Sequence, residues 1–114
     1  MTAARQALGA SGEAMAAAWY EANGYIVLDR NWRCREGELD LVVRKQRTIV
    51  FCEVKTRTSL AFGAPQEAVT RVKRDKVRHL AAKWLETTPV RPRQIRFDVA
   101  AILDGQIELI EGAF

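Results

Sequence analysis

ELDLVVRKQRTIVFCEVKT, residues 38–56, is the part of the sequence most informative about the fold. Apolar residues lie on both sides of a short polar segment, Lys45 to Arg47. This pattern is typical of two β-strands joined by a turn. It predicts strands from Glu38 to Arg44 and from Thr48 to Thr56, and we interpret the pair as an antiparallel hairpin.

The hairpin has a definite predicted register. If the chain turns at Gln46–Arg47, facing positions sum to 93, so that Asp40 faces Glu53. Directly opposed residues project from the same face, which would also carry Glu38 and Lys55. A bulge or a one-residue slip would break this alignment, and Gln-Arg is not a favoured two-residue turn. The opposite face of the first strand would carry Leu39, Leu41 and Val43.

Helices and further strands are predicted around the hairpin. An apolar spacing in the N-terminal part indicates a helix that begins at Ser11 as N-cap. Residues 1–10 are expected to be flexible, or a short frayed helix interrupted at Gly9. A strand is predicted at Tyr25–Arg33 and a loop at Ser59–Pro65. A helix is predicted from Gln66 to about Thr87, with a break near Thr70 as an alternative and with buried Val77, Leu80, Ala81 and Trp84. Strands Ile95–Leu103 and Gln106–Ile110 are joined by a tight turn at Asp104–Gly105.

These elements define the fold class. Their order is α-β-β-β-α-β-β, which predicts a mixed α/β domain. A chain of 114 residues is long enough for one domain and too short for two ordinary ones. We therefore expect a single domain over residues 1–114.

Basic residues are concentrated in two segments. The net charge is only +4, but residues 71–83 carry six Lys or Arg and a single acid, Asp75. Arg30, Arg33 and Arg35 form a second group just before Glu38. Such patches suit a polyanion such as a nucleic-acid backbone, although basic helix faces are often merely solvated.

Cysteine content and hydropathy indicate a cytoplasmic protein. The two cysteines, Cys34 and Cys52, form no disulfide framework, and their spacing fits no zinc motif. No apolar run approaches the length of about 18 residues that suggests a membrane span. The N-terminus shows no secretory pattern. We expect reduced thiols and no membrane association.

The paired carboxylates of the hairpin suggest a metal site. Two adjacent carboxylates repel each other unless a positive charge lies between them, and a hard divalent cation takes oxygen ligands. Such an ion activates water and offsets charge on a phosphodiester. Lys55 would orient the water or stabilise developing negative charge. The alternative is a solvated strand face with a cross-strand Glu–Lys ion pair.

Several motifs resemble a known family. The segments GEAMAAAWYEANGY, RNWR, GELDL, FCEVKTR, FGAPQEAV and RFDVAAIL follow one another between about residues 9 and 103. This order resembles the YraN-like family of small, poorly characterised bacterial proteins. That family is similar to archaeal Holliday-junction resolvases and to restriction-endonuclease-like nucleases. The resemblance implies a restriction-endonuclease-like fold, with a central mixed sheet flanked by helices.

The resemblance also implies roles for individual residues. Asp40 and Glu53 would be ligands of Mg²⁺ or Mn²⁺, with the Val54 carbonyl as a third, and Lys55 would be the catalytic lysine. Glu13 matches an acidic residue that reaches the site in related nucleases. Glu13 is equally well explained as a charge favoured by the dipole of the first helix.

The remaining candidates concern nucleic-acid contacts and structure. Phosphate contacts are assigned to Arg57, Lys73, Arg35 and Arg74, and Gln66 is a further candidate near the site. Asp98 and Arg96 are interpreted as a structural ion pair. Trp32 is interpreted as a packing residue, with base stacking as the alternative.

Two functions follow from these assignments. The first is a metal-dependent DNA endonuclease, with branched DNA such as a Holliday junction as a candidate substrate. The second is a catalytically silent nuclease fold that binds DNA or a protein. A homodimer is expected if the substrate is a symmetric junction.

Overall fold

The computed structural model describes residues 3–57 and 70–114, with side chains from residue 12 onward. Within these ranges the order of elements is the predicted one. The predicted loop 59–65 and Gln66 lie outside the described residues. The elements are helices α1 (Ala3–Ala22) and α2 (Arg71–Leu85) and strands β1 (Ile26–Cys34), β2 (Gly37–Lys45), β3 (Thr48–Arg57), β4 (Gln94–Leu103) and β5 (Gln106–Ile110).

The strands form one mixed sheet in the order β1-β2-β3-β4-β5. Strands β3 and β4 are parallel, whereas the other neighbouring pairs are antiparallel. A parallel pair needs a crossover connection, and α2 lies in it. The predicted α/β class and the mixed sheet with flanking helices are confirmed, and this architecture is consistent with a restriction-endonuclease-like fold.

The predicted start of the first helix at Ser11 is wrong. The backbone is already helical from Ala3, so Gly9 and Ser11 lie inside α1. The reason is composition, because four of the eight residues from 3 to 10 are alanine, the best helix former. The cost of about 1 kcal/mol for one glycine in a helix does not outweigh that propensity.

The second helix follows the predicted apolar pattern. It begins after Thr70, whose side chain accepts a hydrogen bond from the Lys73 backbone N–H, and it ends at Leu85. The predicted buried stripe is confirmed, since Val77, Leu80, Ala81 and Trp84 are the buried residues of α2. Most of the basic residues of α2 lie on its exposed side.

The predicted hairpin register is confirmed from Lys45–Thr48 to Leu41–Cys52, whereas the predicted pair Asp40–Glu53 is not part of the observed strand pairing. Val42 pairs with Phe51 and Leu41 with Cys52, as positions that sum to 93 require. Although Gln-Arg is not a favoured two-residue turn, the chain reverses here because Gln46 adopts a positive φ of 54°. Its carbonyl also accepts a 2.7 Å hydrogen bond from Arg44 Nε.

Two hydrophobic clusters lie on opposite faces of the sheet, and they reveal an irregularity in β2. The α1-side cluster contains Leu41 and Val43, whereas the α2-side cluster contains Leu39 and Val42. The prediction that Leu39 shares a face with Leu41 is therefore wrong. Strict alternation is interrupted around Asp40, which lies between them.

Predicted structural roles of other residues are confirmed. Asp98 is fully buried and forms an ion pair with Arg96 at 2.8 Å. Trp32 packs against the α2-side cluster. In the described part of the chain, neither helix combines the length and hydropathy required to cross a membrane.

Candidate metal centre

Three carboxylates converge where α1 meets the irregular part of β2. Glu13, Glu38 and Asp40 each offer an oxygen atom, and these atoms lie within 4.8 Å of one another. Glu13 comes from the helix, and the other two residues come from β2. Glu13 thus lies near Asp40, and Glu38, which was predicted only as a possible site residue, belongs to the same group.

A close approach of α1 to the sheet brings Glu13 into this position. A Cβ atom on Gly12 would collide with Thr56 Oγ1 on β3 and would lie 3.2 Å from Ile102 Cδ1 on β4. Only glycine leaves room for the helix at this distance. The next residue is Glu13, so the contact at Gly12 sets how closely its carboxylate approaches Asp40.

Asp40 is held from the neighbouring strand. Its Oδ2 accepts a 2.9 Å hydrogen bond from the backbone N–H of Val54. Glu53 lies next to it, since the two carboxyl groups interact by a side-chain hydrogen bond. Asp40 therefore contacts Glu53 as well as the group formed with Glu13 and Glu38.

Burial and repulsion raise the pKa of these acids. Desolvation raises the pKa of Glu53 to about 7, and the charge of Asp40 adds to the effect. Desolvation likewise raises the pKa of Asp40, against the N–H of Val54 and the charge of Lys55. The pKa of Glu13 is raised by desolvation and by Asp40 and Glu38. Each of these shifts means that negative charge is under-compensated here.

The predicted lysine shares this electrostatic environment. Lys55 lies two residues after Glu53 on β3, and its charge attracts both Glu53 and Asp40. Val54 packs against the α1-side cluster, and Thr56 meets Gly12. Because β3 pairs with β4 without a register shift, alternation places Glu53, Lys55 and Arg57 together on the other face.

One residue of this region was missed by the sequence analysis. The side chain of Asn31, in β1, interacts with the Glu13 carboxylate and lowers its pKa. Asn31 also has a positive φ of 50°. An asparagine in the middle of a predicted strand is the signal that could have identified it, because asparagine disfavours strands and tolerates this conformation.

The predicted phosphate contacts lie in different places. Arg57 ends β3, and its Nε is buried without a hydrogen-bond partner within the described residues. Arg35 is exposed in the β1–β2 turn. Lys73 and Arg74 are in the first turn of α2, where Lys73 is exposed and Arg74 is half-buried. The structure thus distributes these four residues over three elements.

The basic side of α2 lies against the β1–β2 hairpin. Lys83 forms an ion pair with Glu36 at 3.4 Å. Lys76 lies beside Gly37, where a Cβ atom would be 3.1 Å from its Cε. The hairpin also carries Arg33, which contacts Glu38 at 3.1 Å. Positive charge therefore adjoins the acidic group.

The donor set suits a hard divalent cation. All of its side-chain donors are carboxylate oxygens, which Mg²⁺ and Mn²⁺ prefer. Glu13 and Asp40 are partly buried and Glu38 is exposed, and burial raises the pKa of Asp40 and of Glu53, so that their charged forms are disfavoured without a cation. The residues therefore fit such an ion, and the acidic group of Glu13, Glu38 and Asp40 could hold one.

Comparison with known proteins gives a family without an assigned activity. The profile of a family described as "Uncharacterised protein family UPF0102" matches residues 12–102. A UPF0102 protein of Beutenbergia cavernae is 56% identical over 100 residues, covering 88% of this chain and 85% of that protein. One of Frankia alni is 47% identical, covering 97% of both chains. One of Moorella thermoacetica is 47% identical over the full length of both.

Proposed function

The chain belongs to the uncharacterised protein family UPF0102, and we propose that it is a divalent-metal-dependent endonuclease that hydrolyses phosphodiester bonds in DNA. The observation that carries this proposal is the position of Asp40. It contacts Glu53 on one side and lies within 4.8 Å of Glu13 and Glu38 on the other, with the charge of Lys55 acting on it. The resemblance to restriction-endonuclease-like nucleases supports the same function.

The metal ligands in this proposal extend the predicted set. Asp40, Glu53 and the Val54 carbonyl are the ligands that the resemblance implies, and Glu13 and Glu38 are near enough to Asp40 to contribute an oxygen directly or through water. A bound Mg²⁺ or Mn²⁺ supplies a Lewis acid that activates water and offsets charge on the scissile phosphate.

The protein's own side chains supply the remaining chemistry. Lys55 shares its strand face with Glu53, so it can orient the attacking water and stabilise the charge that develops on the phosphate. Arg57 follows on the same face, and the unpartnered Nε described above suits a phosphate oxygen. Because burial raises the pKa of Glu53 to about 7, part of this carboxyl group is protonated near neutral pH before a cation enters.

DNA is the proposed substrate because of the charge around the site. Lys73 and Arg74 at the start of α2, together with Arg35 in the hairpin, would contact phosphates on either side of the cleaved bond. Branched DNA is the candidate that the resemblance suggests. A symmetric junction needs two cuts, so this substrate would be matched by a homodimer.

A DNA-binding module without turnover is the second candidate. The exposed basic residues of α2 favour it, because they would bind a polyanion whether or not cleavage follows. The acidic group argues against it. Clustered carboxylates repel phosphates, so a pure binding protein gains nothing from them.

Cleavage assays decide between these functions. Labelled duplex, nicked, flapped and four-way-junction DNA are incubated with the protein and Mg²⁺ or Mn²⁺. We expect the wild type to cut at least one substrate, and we expect Asp40→Ala and Lys55→Ala to lower the rate by about 10²-fold or more. Asp104→Ala removes an exposed carboxylate from the β4–β5 turn and serves as the matched control.

Binding measurements separate substrate contacts from chemistry. Lys73→Ala is expected to weaken DNA binding and to reduce its salt dependence, whereas Arg93→Ala removes an equal, exposed charge near β4 with less effect. Salt-sensitive DNA binding without cleavage under either metal would favour the binding module. Cleavage that persists unchanged in Asp40→Ala would overturn the assigned site.

A further inference from the structure

Asn31 interrupts β1 at the level of the acidic group. Its neighbours Arg30 and Trp32 pair with Leu41 and Leu39, so Asn31 lies level with Asp40 on the adjacent strand. Its φ of 50° is in the left-handed region. The strand continues in both directions, from Ile26 to Cys34. The kink therefore occurs within a strand.

The other residues of this kind have an evident reason for their conformation. Gln46 and Asp104 are the remaining non-glycine residues with positive φ in the described ranges. Each occupies a two-residue turn between adjacent antiparallel strands, where such angles are needed to reverse the chain. Asn31, by contrast, lies within β1, where the chain does not reverse its direction. Left-handed non-glycine residues persist only where their surroundings hold them, and they concentrate at functional sites.

The side chain of Asn31 has a partner across the sheet surface. Asn31 lies level with Asp40, which is within 4.8 Å of Glu13, and its amide and the charge of Arg30 beside it both lower the pKa of the Glu13 carboxylate on α1. Glu13 is one of the three acids that converge within 4.8 Å. The left-handed position in β1 thus lies near the one member of the acidic group that does not come from β2.

We propose that Asn31 is a positioning residue, whose left-handed backbone directs its amide to Glu13 and so orients the Glu13 carboxylate beside Asp40. This inference rests on the metal-binding part of the proposed function. Glu13 is attached to a helix and could rotate into solvent, whereas Asp40 is fixed by the N–H of Val54. A partner on β1 restricts that rotation and prepares Glu13 as a ligand.

A role of Asn31 in supporting β1 alone can be distinguished from a positioning role by measuring stability and metal binding separately. If Asn31 only supports β1, its replacement should change folding and metal binding together. Glycine adopts the left-handed region without strain. Asn31→Gly should therefore keep the backbone and raise or preserve Tm, while the contact to Glu13 is lost.

Titration calorimetry with Mn²⁺, on the intact protein without DNA, tests this separation. We expect Asn31→Gly to weaken Mn²⁺ binding about tenfold, as is typical when a partner of a metal ligand is removed. Asp104→Gly is the matched control, because Asp104 has the same φ of 50° and lies in the β4–β5 turn. It should show a similar change in Tm with wild-type affinity for Mn²⁺.

A double variant tests whether Asn31 affects Mn²⁺ binding through Glu13. In a Glu13→Gln background, Asn31→Gly should cause no additional loss of Mn²⁺ affinity. Wild-type affinity in Asn31→Gly, or an equal loss in both backgrounds, would overturn the role of Asn31 while the metal site itself stands. A wild type that binds no Mn²⁺, with Asp40→Asn indistinguishable from it, would overturn the metal site and this inference together.

Discussion

Two groups of buried acids in this protein differ in how their charge is compensated. Asp98 has no exposed surface, yet it accepts hydrogen bonds from Tyr20 Oη, Arg96 Nε, Arg96 Nη2 and Gly112 N at 2.6–3.0 Å. Asp40 is less buried, and among the described residues its one backbone donor is Val54 N at 2.9 Å. Its nearest side-chain neighbours are mostly other acids.

The difference shows why burial alone does not identify a functional acid. A carboxylate that receives several donors and an arginine is a fixed part of the core. A cluster short of donors stores repulsion that a cation would relieve. Helix α1 joins the two regions, since Tyr20 contacts Asp98 and Glu13 contributes to the acidic group. The same helix is therefore anchored by one region and supplies a ligand to the other.

The largest effect is expected from removing the compensated acid. Asp98→Ala leaves the guanidinium of Arg96 and the Tyr20 hydroxyl without their buried partner. We expect the free energy of unfolding in urea to fall by about 3–5 kcal/mol. Asp104→Ala, in an exposed turn, should change it by less than about 0.5 kcal/mol. A small loss for Asp98→Ala would show that the network contributes little to folding.

The contact that brings α1 to the acidic group is expected to come next. Helix propensity alone favours alanine over glycine by about 1 kcal/mol. Gly12→Ala should nevertheless lower the free energy of unfolding by about 1–3 kcal/mol, because its Cβ meets Thr56 Oγ1. Adding Thr56→Ala should restore part of the loss. Stabilisation by Gly12→Ala alone would contradict the close approach, and the denaturation curves would show it directly.

The under-compensated region should also respond to pH. Because burial raises the pKa of Glu53 from 4.5 to about 7, the folded protein binds more protons than the unfolded chain between these values. Stability without metal should therefore fall as pH rises through this range, by on the order of 1 kcal/mol. Unfolding measured from pH 4.5 to 8 should show this slope in the wild type relative to Glu53→Gln. Parallel curves for the two proteins would contradict it.

The smallest change in the free energy of unfolding is expected for Asp40→Asn. Asp40→Asn keeps an oxygen acceptor for the Val54 N–H and removes the repulsion from Glu53. We expect stability without metal to stay equal or to rise by less than about 1 kcal/mol, in contrast to Asp98→Ala. Urea unfolding of the two variants side by side makes the measurement. A loss comparable to that of Asp98→Ala would mean that Asp40 is a structural acid as well.

The local part of this arrangement follows from the order of the amino acids. Alternation of side chains and the position of one turn predicted that Asp40 faces Glu53, and the observed pairing keeps that register from Lys45–Thr48 as far as Leu41–Cys52. The family resemblance singled out Glu13, but no spacing rule could measure its distance from Asp40. These local features could be read because strand and helix periods depend on neighbouring residues only.

Whether the charge of a given acid is compensated depends on contacts between elements that are distant in the chain. Tyr20 and Asp98 are 78 positions apart, and their hydrogen bond exists because α1 packs on the sheet. The close approach at Gly12, the interrupted alternation at Asp40 and the kink at Asn31 likewise arise where separate elements meet. Charge compensation depends on distances between such elements, and those distances are set by packing rather than by local sequence pattern.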